Sequence, residues 1–318
     1  MAVSTATKRT ASKSSRLLRW LRSPNQREEA LTGWLFVLPA VIGFIIFVYL
    51  NFRGVELSFT NWSWISRRPP EPVGWANYQA ILQPGSDFLK GLGRTLIYVL
   101  FVPVSIAISF SIALLANQAV KGQTLFRVVC YLPAVTGAGV LVAVWTFLFS
   151  VDGPVNGFLR SIGIANPPRW NTLTEWKQVA ILLLLAWGAA PGMIIALAGL
   201  QAIPKDYYDA AKVDGANAWQ TLARITLPLM TPTLFFQLVL GVIGAWQTFD
   251  IIYFWATPGT QNADVNLWTA SVQIYQYAFA YNKPGMGAAS AIILGLVILV
   301  FTMINLATQR RWVNYDLS

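Results

Sequence analysis

Side chains able to do chemistry are scarce in this chain, and the gaps are informative. None of the 318 residues is a histidine, which removes imidazole metal ligands and histidine proton relays. The single cysteine, Cys130, lies inside an apolar run, so no internal disulfide forms and a thiol role is not expected. No G-x-x-x-x-G-K-[ST] phosphate loop occurs, and neither does H-E-x-x-H, C-x-x-C or G-x-S-x-G. The chain is therefore not expected to hydrolyse ATP itself, to hold a metal or to do covalent chemistry. One acidic side chain, Asp250, stands well within an apolar segment. A charge near mid-bilayer costs about 3 kcal/mol on insertion scales, so it faces protein or a water-filled cavity. Asp250 therefore reads in two ways. It lines a polar path, or it pairs with a neighbouring helix near the outer boundary.

The elements that would position these groups follow from composition. Hydrophobic residues make up 55% of the chain and charged ones 11%, with a mean hydropathy of +0.52. Ordinary soluble domains carry about 25% charged residues. Apolar runs near 32–52, 95–117, 126–150, 179–200, 229–255 and 286–307 are each long enough to cross a bilayer. The fold class is an all-α polytopic membrane protein with six spans. Fourteen tryptophans, among them Trp62, Trp64 and Trp75 after the first run, suit membrane–water boundaries. Pro39, Pro103, Pro133, Pro191 and Pro232 fall within spans, where each removes a helix hydrogen bond.

Between the fourth and fifth runs lies a polar island, residues 201–228. It holds Lys205, Asp206, Asp209, Lys212, Asp214 and Arg224 between segments with almost no charge. The pattern predicts a short helix, a glycine stop and a second short helix. Pro204 suits a first helical position, where its missing N–H costs nothing. Asp206 and Asp209 sit early, where a helix N-terminus favours negative charge. Ile203, Tyr207, Ala210 and Ala211 form one apolar stripe at helical spacing. Gly215 can take the positive φ that ends a helix.

Asp209-Ala210-Ala211, then Gly215, then Ile225-Thr226-Leu227-Pro228 resembles the EAA loop of ABC-importer membrane subunits. That pattern is E-A-A, three residues, G, nine residues, I-x-L-P. The spacing matches throughout, with Asp209 in place of the usual Glu. Gly74-Trp75-Ala76-Asn77-Tyr78 resembles a G-x-x-N-Y element of sugar permeases. Phe126-Arg127 with Leu132-Pro133 resembles their F-R-x(4)-L-P, and the stretch around Asp250 their F-D-x-I-Y. The likeness covers roughly residues 30–311.

The resemblance implies an ABC type I importer permease of the maltose-type or glycerol-phosphate-type group. It implies that Tyr207, Asp209, Ala210, Ala211, Asp214, Gly215, Ile225, Leu227 and Pro228 form a coupling helix and its flanks, seated in a groove of a separate ATPase. Expected partners are a second homologous permease, two ATPase subunits carrying ATP and Mg, an extracytoplasmic solute-binding protein, a sugar and membrane lipid. Nucleic acid is not expected. Gln247 and Thr248 offer uncharged polar groups suited to hydroxyl-rich cargo, or to hydrogen bonds between helices. Trp187, beside Gly188, and Trp246 offer faces that stack on sugar rings, or that pack. A third outer loop, 257–284, with Pro258, Gly259, Gln261 and Asn262, is able to touch a docking protein or is simply solvated.

Three segments are expected: a basic tail 1–30, a permease domain 31–311 and a C-terminal tail 312–318. The tail includes Arg16–Arg22, which reads as a surface amphipathic helix or as a plain retention signal. With both termini cytoplasmic, 14 of the 23 basic residues lie inside, in keeping with the positive-inside rule. The location implied is a bacterial or archaeal plasma membrane. The rival is an ion-coupled secondary transporter, which would show more buried ionisable groups. Glycerol 3-phosphate stands as the alternative cargo.

Overall fold

A computed structural model describes residues 24–66, 69–118, 122–256 and 263–314. The basic tail's Arg16–Arg22 segment, Lys121 and the Pro258–Asn262 stretch lie outside the described residues. Two units divide the chain, one ending at Glu56 and one starting at Leu57. The first contains nearly all of α1 (Pro24–Ser58), which carries Pro39 and reads as the first span. Its 35 residues reach about 50 Å at helical rise, more than a hydrocarbon core requires.

The second unit is helical throughout its described residues, apart from loops and one isolated bridge between Thr60 and Pro72. After the short α2 (Ala76–Leu82) comes α3 (Asp87–Ala116), started by Ser86, whose hydroxyl accepts from the N–H of Leu89. The third apolar run is not one helix. It breaks into α4 (Gln123–Val135) and α5 (Ala138–Leu148), bent by 106°. Thr136 and Gly137 are extended at the break, with ψ of 127° and 141°. Neither piece alone spans a bilayer, since 13 and 11 residues reach only about 20 Å and 16 Å.

After this bent pair comes α6 (Pro154–Ser161), with proline in its first turn. Next come α7 (Thr174–Gly188), a 3₁₀ turn (Ala190–Gly192) around Pro191, and α8 (Met193–Ala202), which together make one span. The polar island gives α9 (Lys205–Val213) and α10 (Ala218–Thr221), then a π turn (Leu222–Thr226) leading into α11 (Leu227–Trp246). The fifth run also leaves the helix, at 247–249, before α12 (Asp250–Ala256).

The third outer loop holds another departure from the sequence reading. It carries α13 (Ala270–Tyr275) and a π turn (Gln276–Ala280), and Thr269, Ala270, Val272 and Gln273 are almost fully buried. Last is α14 (Pro284–Gln309).

The central post is α3, which packs on α8, α11 and α13. Core residues fall into three groups. One gathers Trp170, Ile181, Trp255 and Trp268, a second Phe88, Val102, Trp246 and Leu294, and a third Phe110, Met193, Ala196 and Met230. Close approach relies on small residues: a Cβ at Gly241 would come within 2.6 Å of Val102.

Each end of this unit has its own set of ties. At one end Arg127 donates to the carbonyl of Ala116 (2.9 Å), the Tyr208 hydroxyl meets that of Thr226 (3.4 Å), and the Asn314 N–H donates to Thr231 (2.9 Å). The chain's last described residues and the polar island therefore share an end. At the other end Asn77 donates to the carbonyls of Ser58 (2.8 Å) and Thr60 (2.9 Å), and the Tyr78 hydroxyl meets that of Ser58 (2.7 Å). The G-x-x-N-Y element is thus a fastening.

Candidate functional site: an inward loop and a central cleft

The polar island is built from its caps. Pro204 is the N-cap of α9, one position earlier than expected, with ψ of 138°. Asp206 lies in the first turn and Lys212 in the last, the arrangement a helix dipole favours. At the far end Gly215 takes φ of +74°. Its N–H donates to the Lys212 carbonyl (3.1 Å), and the Ala216 N–H donates to that of Ala211 (2.9 Å). This pair of bonds is a Schellman closure, which needs the left-handed residue that glycine supplies. Asn217 then opens α10 with a capping box, exchanging 2.8 Å bonds with Gln220.

The two faces of this loop differ from the expected stripe. Ile203 and Ala211 are buried, but Tyr208 takes the inward place assigned to Tyr207. Ile203 precedes the helix start, so its register does not carry into α9. Tyr208 and Ala211 are three apart on one face of it. Tyr207, Asp209, Ala210, Asp214 and Gly215 are exposed. Val213 is 87% exposed and Trp219 is 72% exposed. Ile225, Leu227 and Pro228 are half-buried, and Leu227 packs with Tyr208 and Leu222 against Met230 and Leu200. The loop is thus fixed at its inner face and presents Tyr207, Val213 and Trp219 outward. Trp219 escaped the sequence reading, although an indole in so polar a stretch was a visible signal.

A cleft of about 450 Å³ opens among α3, α7, the 190–192 turn, α8 and α11. Leu184, Leu240 and Gly241 make much of its wall, and Ser105, Ser109, Gln237 and Thr248 are polar points in it. Gln237 is buried and crosses between helices. Its amide donates to the Gly192 carbonyl (3.0 Å), and its oxygen accepts from Ser109 (3.3 Å). The bridge ties the turn around Pro191 to the neighbouring helices.

Of the residues proposed for a translocation path, Thr248 lines the cleft. Gln247 is exposed on the turn that ends α11, and Asp250 is exposed in the first turn of α12, not inside a continuous helix. Trp187 leans on Trp145, ring centroids 5.9 Å apart, while its neighbour Gly188 lines the cleft. Trp246 belongs to the core: it is 3% exposed and packs on Phe301 at 5.1 Å. Sequence reasoning missed Ser109 and Gln237, which sit in uniformly apolar runs.

Away from the cleft, Lys177 and Asp264 form an ion pair at 3.4 Å, each side chain 10% exposed. Thr174 donates to the same carboxylate (2.9 Å), and Arg94 donates to the Val265 carbonyl (2.7 Å). This clamp ties the segment before α13 to the starts of α3 and α7. Among the described residues no cluster of three or more Asp, Glu or Cys could hold a metal.

Bent spans around a cleft, with a capped polar loop at one end, define a helical membrane protein of the transport class. The family model for the "binding-protein-dependent transport system inner membrane component" matches residues 105–314, and the chain belongs to that family. Among curated relatives, the probable ABC transporter permease protein YesP of Bacillus subtilis is 33% identical over 93% of this chain and 96% of its own. The lactose transport system permease LacF of Rhizobium radiobacter is 30% identical over 91% and 98%. The trehalose/maltose permease MalF of Thermococcus litoralis is 30% identical over 91% and 97%. A chain of the bacterial alginate ABC transporter shares the fold, with a TM-score of 0.78 at 23% identity over 93% and 98% of the two chains. This is the type I ABC importer permease fold, and the chain is a multi-pass membrane protein. Family membership sets aside the ion-coupled alternative.

Proposed function

We propose that this chain is one membrane subunit of an importer that moves a sugar or related polyhydroxylated solute inward by alternating access. A separate ATPase pair, carrying ATP and Mg, drives it. A second homologous permease completes the cleft, and an extracytoplasmic solute-binding protein delivers the cargo. The membrane is a bacterial or archaeal plasma membrane, with both termini in the cytoplasm and residues 31–311 as the permease domain.

The observation that carries this reading is the loop 205–219. It is closed by the Gly215 turn and the Asn217 capping box, anchored through Tyr208 and Ala211, and outwardly apolar at Tyr207, Val213 and Trp219. Exposed apolar groups on a rigid, polar-flanked loop are what a partner's groove requires. Asp209, Ala210, Asp214 and Gly215 frame that face, and Ile225, Leu227 and Pro228 pass its motion into α11. Relatives named for lactose and for trehalose/maltose support a sugar as cargo. No Lys or Arg lines the cleft among the described residues, which favours neutral cargo over glycerol 3-phosphate. Thr248 lies in this path, with Gln247, Asp250 and Trp187 at its edges and Trp246 behind it.

Reconstitution with the cognate ATPase and binding protein tests the proposal. Sugar uptake should require ATP and persist without any ion gradient. Uptake driven by a gradient alone would refute it.

A further inference from the structure

At the end opposite the polar island, six aromatic rings form an unbroken path. Trp62 and Trp64 are 4.5 Å apart between centroids, and Trp64 lies nearly parallel to Phe279 at 6.0 Å and 12°. Phe279 is 5.1 Å from Tyr275, which is 5.0 Å from Tyr253 and 5.4 Å from Phe249. The path starts at one cavity and ends at the residue next to a lining residue of another. Trp62 lines an outer pocket of about 470 Å³ with Asn61, Asn77, Asn282 and Lys283. Phe249 directly follows Thr248, which lines the central cleft.

Phe249 and Tyr253 pack against the core around Trp255 and Trp268, but core packing does not account for the rings further out. Trp64 is 52% and Phe279 56% exposed, and the other four are half-buried. Trp64 is also held in place, its indole donating to the Ala278 carbonyl (2.6 Å), so its orientation is set without a ligand. Its polar atom is satisfied while much of the ring stays open. Boundary aromatics anchor a helix as separate residues. Here the rings come from three chain segments, 62–64, 249–253 and 275–279, and each contacts the next.

We propose that Trp62, Trp64, Phe279, Tyr275, Tyr253 and Phe249 are a stacking track along which a saccharide chain passes from the outer pocket to the cleft. The inference rests on the sugar-import reading above. Apolar faces of pyranose rings stack on aromatic rings, and no single strong site halts a chain that exchanges one ring for the next. Asn282 and Lys283 of the pocket supply hydrogen bonds to hydroxyls at the entrance. The occupant is an oligosaccharide, because a track of this length engages more sugar units than a monosaccharide has.

The test uses the reconstituted complex with its ATPase and binding protein, and radiolabelled probes: glucose, maltose, lactose, raffinose and maltotetraose. Trp64→Leu and Phe279→Leu keep apolar bulk and remove stacking; Trp64→Phe and Phe279→Tyr keep a ring. The Leu variants should cut uptake of the longest transported saccharide about tenfold, equivalent to about 1.4 kcal/mol. The shortest transported sugar should be affected less than twofold, and the aromatic variants should behave as wild type. Equal uptake by the Leu and aromatic variants, or equal loss at every chain length, would overturn the track. If the wild-type complex transports no probe while a non-sugar is imported, the sugar reading itself fails, and the track with it.

Discussion

Tyr207 and Tyr208 are neighbours in sequence on α9, yet Tyr208 is packed against the core and Tyr207 is open. Tyr208 reaches the Thr226 hydroxyl at 3.4 Å within the cluster that holds Met230, while Tyr207 is 44% exposed. One tyrosine fastens the loop and the other is offered to a partner, so their substitutions should separate. Tyr207→Ala should weaken ATPase association and leave the permease's thermal stability unchanged. Tyr208→Ala should lower the melting temperature, the lost packing costing about 1–3 kcal/mol of stability. Thermal melts beside co-purification with the ATPase distinguish the two.

Trp219 should be the strongest anchor on the outward face, since buried indoles dominate interface energetics. Trp219→Ala should loosen the ATPase by about 2 kcal/mol, some thirtyfold in affinity. Binding of purified ATPase to permease in nanodiscs reads this directly. Unchanged affinity would place the contact elsewhere on the loop.

Gly215→Val should abolish transport and ATPase coupling while membrane insertion persists. A β-branched residue at φ of +74° carries a strain of about 2 kcal/mol and opens the Schellman closure. Uptake and sugar-stimulated ATPase activity should both be lost. Retained transport would show that the turn is dispensable.

The Lys177–Asp264 clamp gives a prediction independent of the loop. Lys177→Met leaves a buried carboxylate unpaired and should destabilise by about 3–5 kcal/mol. Replacing both, as Lys177→Met with Asp264→Leu, should recover most of the loss. A double-mutant cycle from thermal melts in detergent measures it. Additive single losses would mean that the pair is not coupled.

Much of this architecture was legible in the sequence, because bilayer length and charge placement act over whole segments. The breaks were not. Apolar character continues across Thr136 and Gly137, so hydropathy sees one run where the backbone leaves the helix. Around 247–249 the polar Gln247, Thr248 and Asp250 mark the place, but they read as a cargo path and not as an interruption. Thr269 to Gln273 look polar enough for a loop, yet they are buried. The Ala270 N–H donates to Thr95 (3.0 Å), and Gly91 has no Cβ to hold that backbone away. At the site, the order of helix, glycine and helix followed from local rules. Which tyrosine faces in depended on where α9 starts, and Pro204 as N-cap moved that start. Gln237 was invisible because its partners, the Gly192 carbonyl and Ser109, lie 45 and 128 residues away in the chain and meet it only through packing.

The central claim is that force enters this bundle through the outward face of loop 205–219. Val213→Cys in a Cys130→Ala background tests it most directly, since Val213 is 87% exposed and no other cysteine then remains. In the assembled complex, this cysteine should crosslink to a cysteine introduced in the ATPase groove, and the crosslink should stop uptake. A membrane-impermeant maleimide added from outside intact cells should not label it. External labelling, or full transport with the crosslink in place, would contradict the account.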